Sequence, residues 1–493
     1  MLYKSTRSNE KAAATAAQVI KQGLAEDGGL FVPDSIPTLT MDEIQALCKE
    51  SYPVRAATIL SKFLTDYTYG ELLEDCTKAY DESSFVGGAA PLVNIHDQFE
   101  SLELWHGPTA AFKDMALQIM PRLLSRALIK TGEARTALIL VATSGDTGKA
   151  ALEGYKDVDR VKIMVFYPVD GVSRVQKLQM ATQTGSNVNV CAIRGNFDDA
   201  QNGVKEIFGD AEMAKALNGK GYFFSSANSI NWGRLAPQIV YYVSAYCDLL
   251  NSGKCKPGDT FNVCVPTGNF GNIFAAYLAK QMGLPIGHMV CASNTNNILT
   301  DFLSTGTYDR NRDFYMTMSP SMDILISSNL ERLLYFTAGS EKTAAYMNSL
   351  KKNGCYSVEP EILAEIRKNF SGYFTDEEQT AETIRKTYQN YGYLADTHTA
   401  VAIHAAEEYV RETGDTRPMV IDSTASPYKF ANNVYRAVTA KDADSELSAL
   451  EQLSAETNTK IPYPLADLAA RKVNFDKVVD REQMAEAVLR YIG

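Results

Sequence analysis

The chain is poor in the features that mark several large classes of protein. It has only 2 Trp and 5 His in 493 residues. The histidines, at 96, 106, 288, 398 and 404, show no metal-ligand spacing, so no metal is expected. The cysteines, at 48, 76, 191, 247, 255, 264, 291 and 355, contain no C-x-x-C pair. Several lie in apolar runs such as Phe261–Val265, which predicts buried reduced thiols rather than disulfides or zinc. The longest apolar runs, such as Thr136–Ala142, fall far short of a bilayer span, so no membrane partner is expected. A basic excess is also missing: 48 Lys and Arg face 59 Asp and Glu, for a net charge of −11. That balance argues against a nucleic-acid partner. Residues 1–24 carry Lys4, Arg7, Glu10, Lys11 and Lys21 and lack the apolar stretch of a secretion signal, which predicts a cytoplasmic protein. There is no internal repeat, low-complexity tract or heptad array. The chain does have 45% hydrophobic residues, enough for a large core and more than one domain.

Residues 1–95 read as a mainly helical region, with helices at Lys11–Gln22, Met41–Ser51, Val54–Phe63 and Tyr69–Ala79. From about residue 100 strands and helices alternate. Apolar runs at 137–142, 161–166, 188–193 and 222–226 predict strands buried on both faces. Helices are expected between them, at 148–155, 173–182 and 198–208. A long helix over 232–250 leads to a second series, with strands at 261–265, 289–292 and 419–422 and helices at 273–282, 297–303 and 397–413. This rhythm predicts an α/β fold of right-handed βαβ units. The expected division is residues 1–95, a larger domain from 96–118 and 228–493, and a smaller α/β domain over 119–227. Residues 305–395 read as a partly helical insertion, and 481–491 as an amphipathic helix. Pro121 conflicts with a continuous helix from Lys113. Either that helix kinks, or a second helix starts with Pro121 in its first turn.

His106-Gly-Pro-Thr-Ala-Ala-Phe-Lys113-Asp-Met-Ala-Leu-Gln118 is the most informative segment. It sets a lysine behind a Gly-Pro turn and ahead of an apolar helix. A lysine so shielded has a lowered pKa and can attack an aldehyde to form a Schiff base; on position alone the better reading is a solvated first-turn lysine, as most lysines are. Thr267-Gly-Asn-Phe-Gly-Asn272 lies between an apolar strand and a helix. Free amides and the helix dipole at such a turn can hold a phosphate. Thr143-Ser-Gly-Asp-Thr-Gly148 occupies the same place after strand 137–142 and suits a second anion. It is no P-loop, because that motif needs Gly at 143 and Ser or Thr at 150, where Thr143 and Ala150 stand. Asp146 there also reads as a helix cap. An acidic chain that binds a dianion needs cations in its site, and Arg234, Lys177, Arg174 and Lys149 are candidates, with Arg234 favoured for its place beside Asn228-Ser-Ile-Asn231. Asn196 and Asp198 are weaker site candidates.

The lysine segment resembles the cofactor-lysine region of the threonine synthase family. Tyr3-Lys-Ser-Thr-Arg7, Gln22–Pro33, Thr143–Gly148, Gly195–Asp199, Asn228–Asn231, Pro266–Asn272 and Ser423–Phe430 follow in that family's order. One departure is Ser8-Asn-Glu after Arg7, where the family has a Gly-rich step. The resemblance implies a fold type II pyridoxal phosphate enzyme, with two parallel-sheet domains flanking a cofactor cleft and an added helical N-terminal region. It implies that Lys113 carries pyridoxal 5'-phosphate as a Schiff base and that Gly268, Asn269, Phe270, Gly271 and Asn272 grip the cofactor phosphate. Ser144, Gly145, Asp146 and Thr147 are implied to clamp the substrate α-carboxylate, and Asn228 and Arg234 to contact the substrate. Thr424 is implied to face the pyridine nitrogen, where a hydroxyl leaves the ring neutral and suits elimination and replacement more than transamination. The implied reaction converts O-phospho-L-homoserine and water to L-threonine and phosphate, with Lys113 moving the Cα and Cβ protons. Rivals are a threonine dehydratase, cysteine synthase or phospholyase on the same fold, or a non-catalytic phosphometabolite-binding homologue. The sequence leaves the oligomeric state open.

Overall fold

A computed structural model describes residues 1–143, 145–170 and 172–493. Two sheets organise the chain. The larger runs Phe370–Phe374, Ile286–Ser293, Phe261–Pro266, Met419–Ser423, Phe99–Glu103, Leu92–His96. Its pairings are parallel except the last, where Leu92–His96 and Phe99–Glu103 form an antiparallel edge. The smaller, wholly parallel sheet runs Val478–Val479, Val188–Ile193, Val161–Pro168, Thr136–Ala142, Tyr222–Ser225. The expected strands are present, and the central ones are apolar because they are buried on both faces, as helix-covered parallel strands require; Tyr222–Ser225, at a sheet edge, is mostly half-buried instead.

The differences have local causes. Phe99–Glu103 is wholly buried yet contains two glutamates, so its polarity disguised it; Lys254 neutralises Glu100 and His106 lies 2.7 Å from Glu103. Phe370–Phe374, inside the expected insertion, adds a parallel edge to the larger sheet. Val478–Val479 joins the smaller sheet although residues 228–493 were assigned to the larger domain. The helix expected from Lys11 begins at Ala16, because Thr15 and Gln18 form a reciprocal cap and Ala14 bridges to Tyr3. The long helix over 232–250 breaks into Trp232–Leu235 and Pro237–Asn251, restarted by Pro237. The Pro121 conflict resolves the same way: Asp114–Leu117 ends, and Met120–Lys130 begins with the proline in its first turn. At the N-terminus, Tyr3–Ser5 pairs with Phe31–Pro33, and Arg7 binds Glu331 at 2.8 Å. The Ser8-Asn-Glu departure therefore follows an anchored segment.

Candidate active site

The Gly-Pro-Thr-Ala-Ala-Phe-Lys-Asp run is a packing unit. Ala110 is buried and left-handed, with φ of 58°, a strained state that the surroundings must impose. Ala111 bridges to Ala425, Phe112 N–H donates to the Thr424 carbonyl at 2.8 Å, and Ser426 N–H donates to Ala110 at 3.1 Å. The loop bearing Lys113 is thereby stitched to the loop after Met419–Ser423. Asp114, buried on the other side of the lysine, accepts from the Thr109 amide at 2.8 Å and hydroxyl at 2.9 Å. Burial pushes its carboxyl up to about 7. Gly107 is required because a methyl there would come within 2.7 Å of the Asp114 Cβ. Lys113 Nζ donates to Ser321 Oγ at 3.3 Å. Burial pushes the lysine below its usual range; Asp146 opposes this, and Lys429 and Arg234 push the same way as burial.

The second component is the turn from strand Phe261–Pro266 into helix Gly271–Met282. Asn272 braces it: its side chain accepts from Thr267 Oγ1 at 2.6 Å and donates to the Pro266 carbonyl at 3.1 Å. Residues from the expected insertion hold its outer side, with Ser327 Oγ donating to the Gly268 carbonyl at 2.6 Å and Asn329 N–H to the Asn269 carbonyl at 3.0 Å. The strained residue is Phe270, fully buried with φ of 62°, and not Gly271, as a reading from glycine content suggests. A methyl on Gly271 would meet the side-chain amides of Asn329, with Nδ2 at 3.4 Å, and of Gln238, with Nε2 at 3.6 Å; each also donates to a backbone carbonyl, of Asn269 and Arg234 respectively. The glycine thus borders a cradle lined by side-chain donors at a helix N-terminus, the chemistry that holds a phosphate.

The third component is the turn 143–148. Ser144 lies outside the described residues. Thr143 Oγ1 accepts from the amides of Gly145 and Gly148, both at 3.0 Å, so the Gly145 amide is already engaged. Gly145 is needed because a Cβ there would strike Gln176 at 2.4 Å. Asp146 differs from expectation. Its carboxylate pairs with the Lys429 ammonium at 2.9 Å and accepts from Gln176 Nε2 at 2.9 Å. Burial alone would raise that carboxyl, but Lys429, Lys113 and Gln176 outweigh it and hold it ionised. Its side chain is thus committed to organising cations. Lys429 also donates to Gln179 at 2.7 Å, so it ties the loop after Ser423 to helices Asp146–Tyr155 and Arg174–Ala181 of the smaller sheet.

Among the candidate cations, Arg234 stands apart. It is buried, Nη1 donates to the Ala227 carbonyl at 2.7 Å, and Nε has no hydrogen-bond partner among the described residues. Burial draws it down to about 10, still charged near neutrality. Lys149 is taken by Glu153 at 2.8 Å and by Gln183. Lys177 donates to the Val169 carbonyl, and Arg174 is exposed. Asn228 is exposed, with its side-chain Oδ1 accepting from Ser229 Oγ at 3.3 Å, whereas buried Asn231 caps Trp232–Leu235 and donates to the Ile20 carbonyl at 3.0 Å. Asn196 caps helix Phe197–Gly209 reciprocally with Asp199, and Asp198 is exposed in its first turn. Sequence reasoning missed Ser321, Gln238, Asn329 and Lys429. Only Lys429 carried a signal, its place in Ser423–Phe430.

Three family profiles match the chain: Threonine synthase N terminus over residues 2–80, Pyridoxal-phosphate dependent enzyme over 101–421, and Threonine synthase, C-terminal over 399–492. Threonine synthase of Pseudomonas aeruginosa is 41% identical, over 89% of this chain and 90% of its own. The chain belongs to the threonine synthase family. A crystal structure of PLP-bound threonine synthase from Brucella melitensis superposes over 100% of this chain and 99% of its own, with TM-score 0.89 and 37% identity. Human Threonine synthase-like 1 is 38% identical over 92% of this chain, which spans 62% of that longer relative. Pyridoxal phosphate is the cofactor of this family, and the residues present fit it: an amine at Lys113 and, at Gly271, a donor-lined cradle that a Cβ would fill.

Proposed function

We propose that the chain is a threonine synthase that converts O-phospho-L-homoserine and water to L-threonine and phosphate. The observation that carries the reading is Arg234, a buried guanidinium with no carboxylate partner among the described residues, close enough to Lys113 to perturb it. An unpaired buried cation is costly, so it points to an anionic ligand. We assign the cofactor phosphate to residues 268–272, the ring nitrogen to Thr424, the substrate phosphate to Arg234, with Asn228 beside it, and the α-carboxylate to the turn holding Ser144, Gly145 and Thr147. Bound there, pyridoxal phosphate supplies the electron sink that acidifies the substrate's Cα and Cβ protons. The chain's part is proton transfer and charge placement. Lys113, its pKa lowered by burial, serves as the base that takes the Cα and Cβ protons; one proton goes to Cγ, which becomes the methyl, and one returns to Cα after water adds at Cβ. Arg234 receives the charge that builds on the leaving phosphate. Asp146 and Lys429 neutralise each other, so neither competes with the substrate. The unpaired thiols support a cytoplasmic setting.

The test is a substrate panel. O-phospho-L-homoserine should release phosphate and give threonine in equal amounts, with little ammonia from L-threonine or L-serine. Rapid ammonia release from either would favour a dehydratase.

Two further outcomes follow. Gly271→Val should weaken cofactor binding at least tenfold, about 1.4 kcal/mol, while leaving the melting of cofactor-free protein nearly unchanged. The glycine has ordinary φ, and its nearest neighbours leave a Cβ room. Absorbance titration checks this, and unchanged affinity would take the phosphate away from this turn. Thr424→Asp should favour a protonated ring, change the visible spectrum and lower threonine yield. A wild-type spectrum and yield would remove Thr424 from the ring.

A further inference from the structure

We propose that Ser321, contributed by residues 305–395, is a further catalytic residue whose hydroxyl holds the Lys113 amine in its attacking position, and that the buried pair Asp396 and His398 positions Ser321. The proposal rests on the reading of Lys113 as the cofactor lysine. Ser321 Oγ is the hydrogen-bond partner of Lys113 Nζ, at 3.3 Å. The Ser321 main chain is held in turn: its N–H donates to His398 Nε2 at 3.1 Å. An imidazole nitrogen facing an N–H must carry its lone pair there, so the proton sits on Nδ1. Nδ1 faces Asp396 Oδ1 at 3.0 Å, and that carboxylate also accepts the amides of His398 at 2.8 Å and Thr399 at 3.2 Å as the cap of helix Thr397–Thr413. Both ring nitrogens are thus fixed, and the Phe430 ring packs at 4.8 Å between centroids.

The short turn Pro320–Met322 is held on its other sides too. The buried Asn294 donates to Ser319 Oγ at 2.9 Å and to Asp323 at 2.8 Å, and Thr317 Oγ1 donates to Asp323 at 2.7 Å. The Ser321 carbonyl lies 3.1 Å from where a Cβ on Gly268 would sit, so the turn also backs the loop assigned to the cofactor phosphate. A lysine amine rides on a flexible four-carbon stem, and holding it costs rotamer entropy at each attack. A hydroxyl in a rigid turn accepts one N–H and lets the amine lone pair be presented in a fixed direction, an orientation effect. In cofactor capture the Lys113 nitrogen bonds to the aldehyde carbon, the aldehyde oxygen leaves as water with the two amine protons, and no oxidant or reductant is needed.

The experiment mixes full-length, cofactor-free protein with pyridoxal phosphate and follows visible absorbance, with borohydride trapping and peptide mapping at the end. Ser321→Ala should lower the limiting capture rate about tenfold and leave the half-saturating concentration within about twofold, because the phosphate loop is intact. Ser321→Thr keeps a hydroxyl and should recover most of the rate. His398→Ala keeps the hydroxyl but frees the turn, and should fall between. A wild-type rate in Ser321→Ala overturns the proposal. So does a parallel change in rate and half-saturation, which would make Ser321 only a wall of the phosphate site, or a folded Ser321→Thr as slow as Ser321→Ala. Trapping on another lysine in the wild type would instead remove the reading of Lys113, and the proposal with it.

Discussion

Lys113→Ala should abolish turnover while the folded protein persists. The amine is the only group assigned to both proton transfers, and loss of a positioned acid–base group costs about 10²–10⁴-fold. Loss of the covalent hold on the cofactor adds to that, so the lower end of the range is not expected. Melting should change little in cofactor-free protein, because the lysine makes one side-chain hydrogen bond, to Ser321, and is depressed by burial and by Lys429 and Arg234. Relief of that unfavourable burial offsets the lost contact. The loop itself is held by backbone pairing to residues 424–426 and by Asp114 with Thr109, none of which the substitution touches. Steady-state kinetics, cofactor content after dialysis and a thermal melt check the three parts. A variant that turns over within tenfold of wild type would show that another base acts on the substrate.

Arg234→Met should separate substrate use from everything else. The planar fork of arginine meets two phosphate oxygens at once, and methionine meets none. The expected loss is about 1.5–3 kcal/mol in kcat/KM, roughly 10- to 150-fold. Cofactor affinity should stay near wild type, because residues 268–272 are a separate turn. Inhibition by inorganic phosphate should weaken in step. Stability should not fall, since the variant removes a buried charge whose Nε has no partner among the described residues while losing one bond to the Ala227 carbonyl. The combination of impaired catalysis and unimpaired melting is the signature of a residue kept for its ligand. If kcat/KM and phosphate inhibition both stay at wild type, the clamp lies elsewhere. Two other candidate cations are already committed, Lys149 to Glu153 and Gln183, and Lys177 to Val169.

How far the sequence carried this account varies by element. Strands such as Thr136–Ala142 and Phe261–Pro266 were legible because parallel strands covered on both faces must be apolar throughout. Lys113 and the turn 266–272 were legible as motifs, since close backbone approach and a shielded amine restrict the residues that fit. The strand Phe99–Glu103 was not, because its glutamates find partners distant in sequence. Val478–Val479 was too short to show a period. Asp146 was read as a ligand clamp because its partner Lys429 comes from a remote loop, and an ion pair across two sheets leaves no mark in either local pattern. Asn272 was legible only as part of the phosphate turn, and that its side chain braces this turn shows only in the fold. Ser321 was invisible for a similar reason: a serine in a polar, methionine-rich stretch has no periodicity, and only the fold brings it to Lys113.

The most direct test of the central claim is the fate of oxygen from water. The enzyme with its cofactor would be given O-phospho-L-homoserine in water enriched in oxygen-18, and both products analysed by mass spectrometry. The assignment of Lys113 to Cα and Cβ and of Arg234 to a leaving phosphate predicts C–O cleavage. The label should enter the Cβ hydroxyl of threonine, and the phosphate released at the catalytic step should carry none. Labelled phosphate accompanied by homoserine would mean that water attacks phosphorus, and would contradict the account.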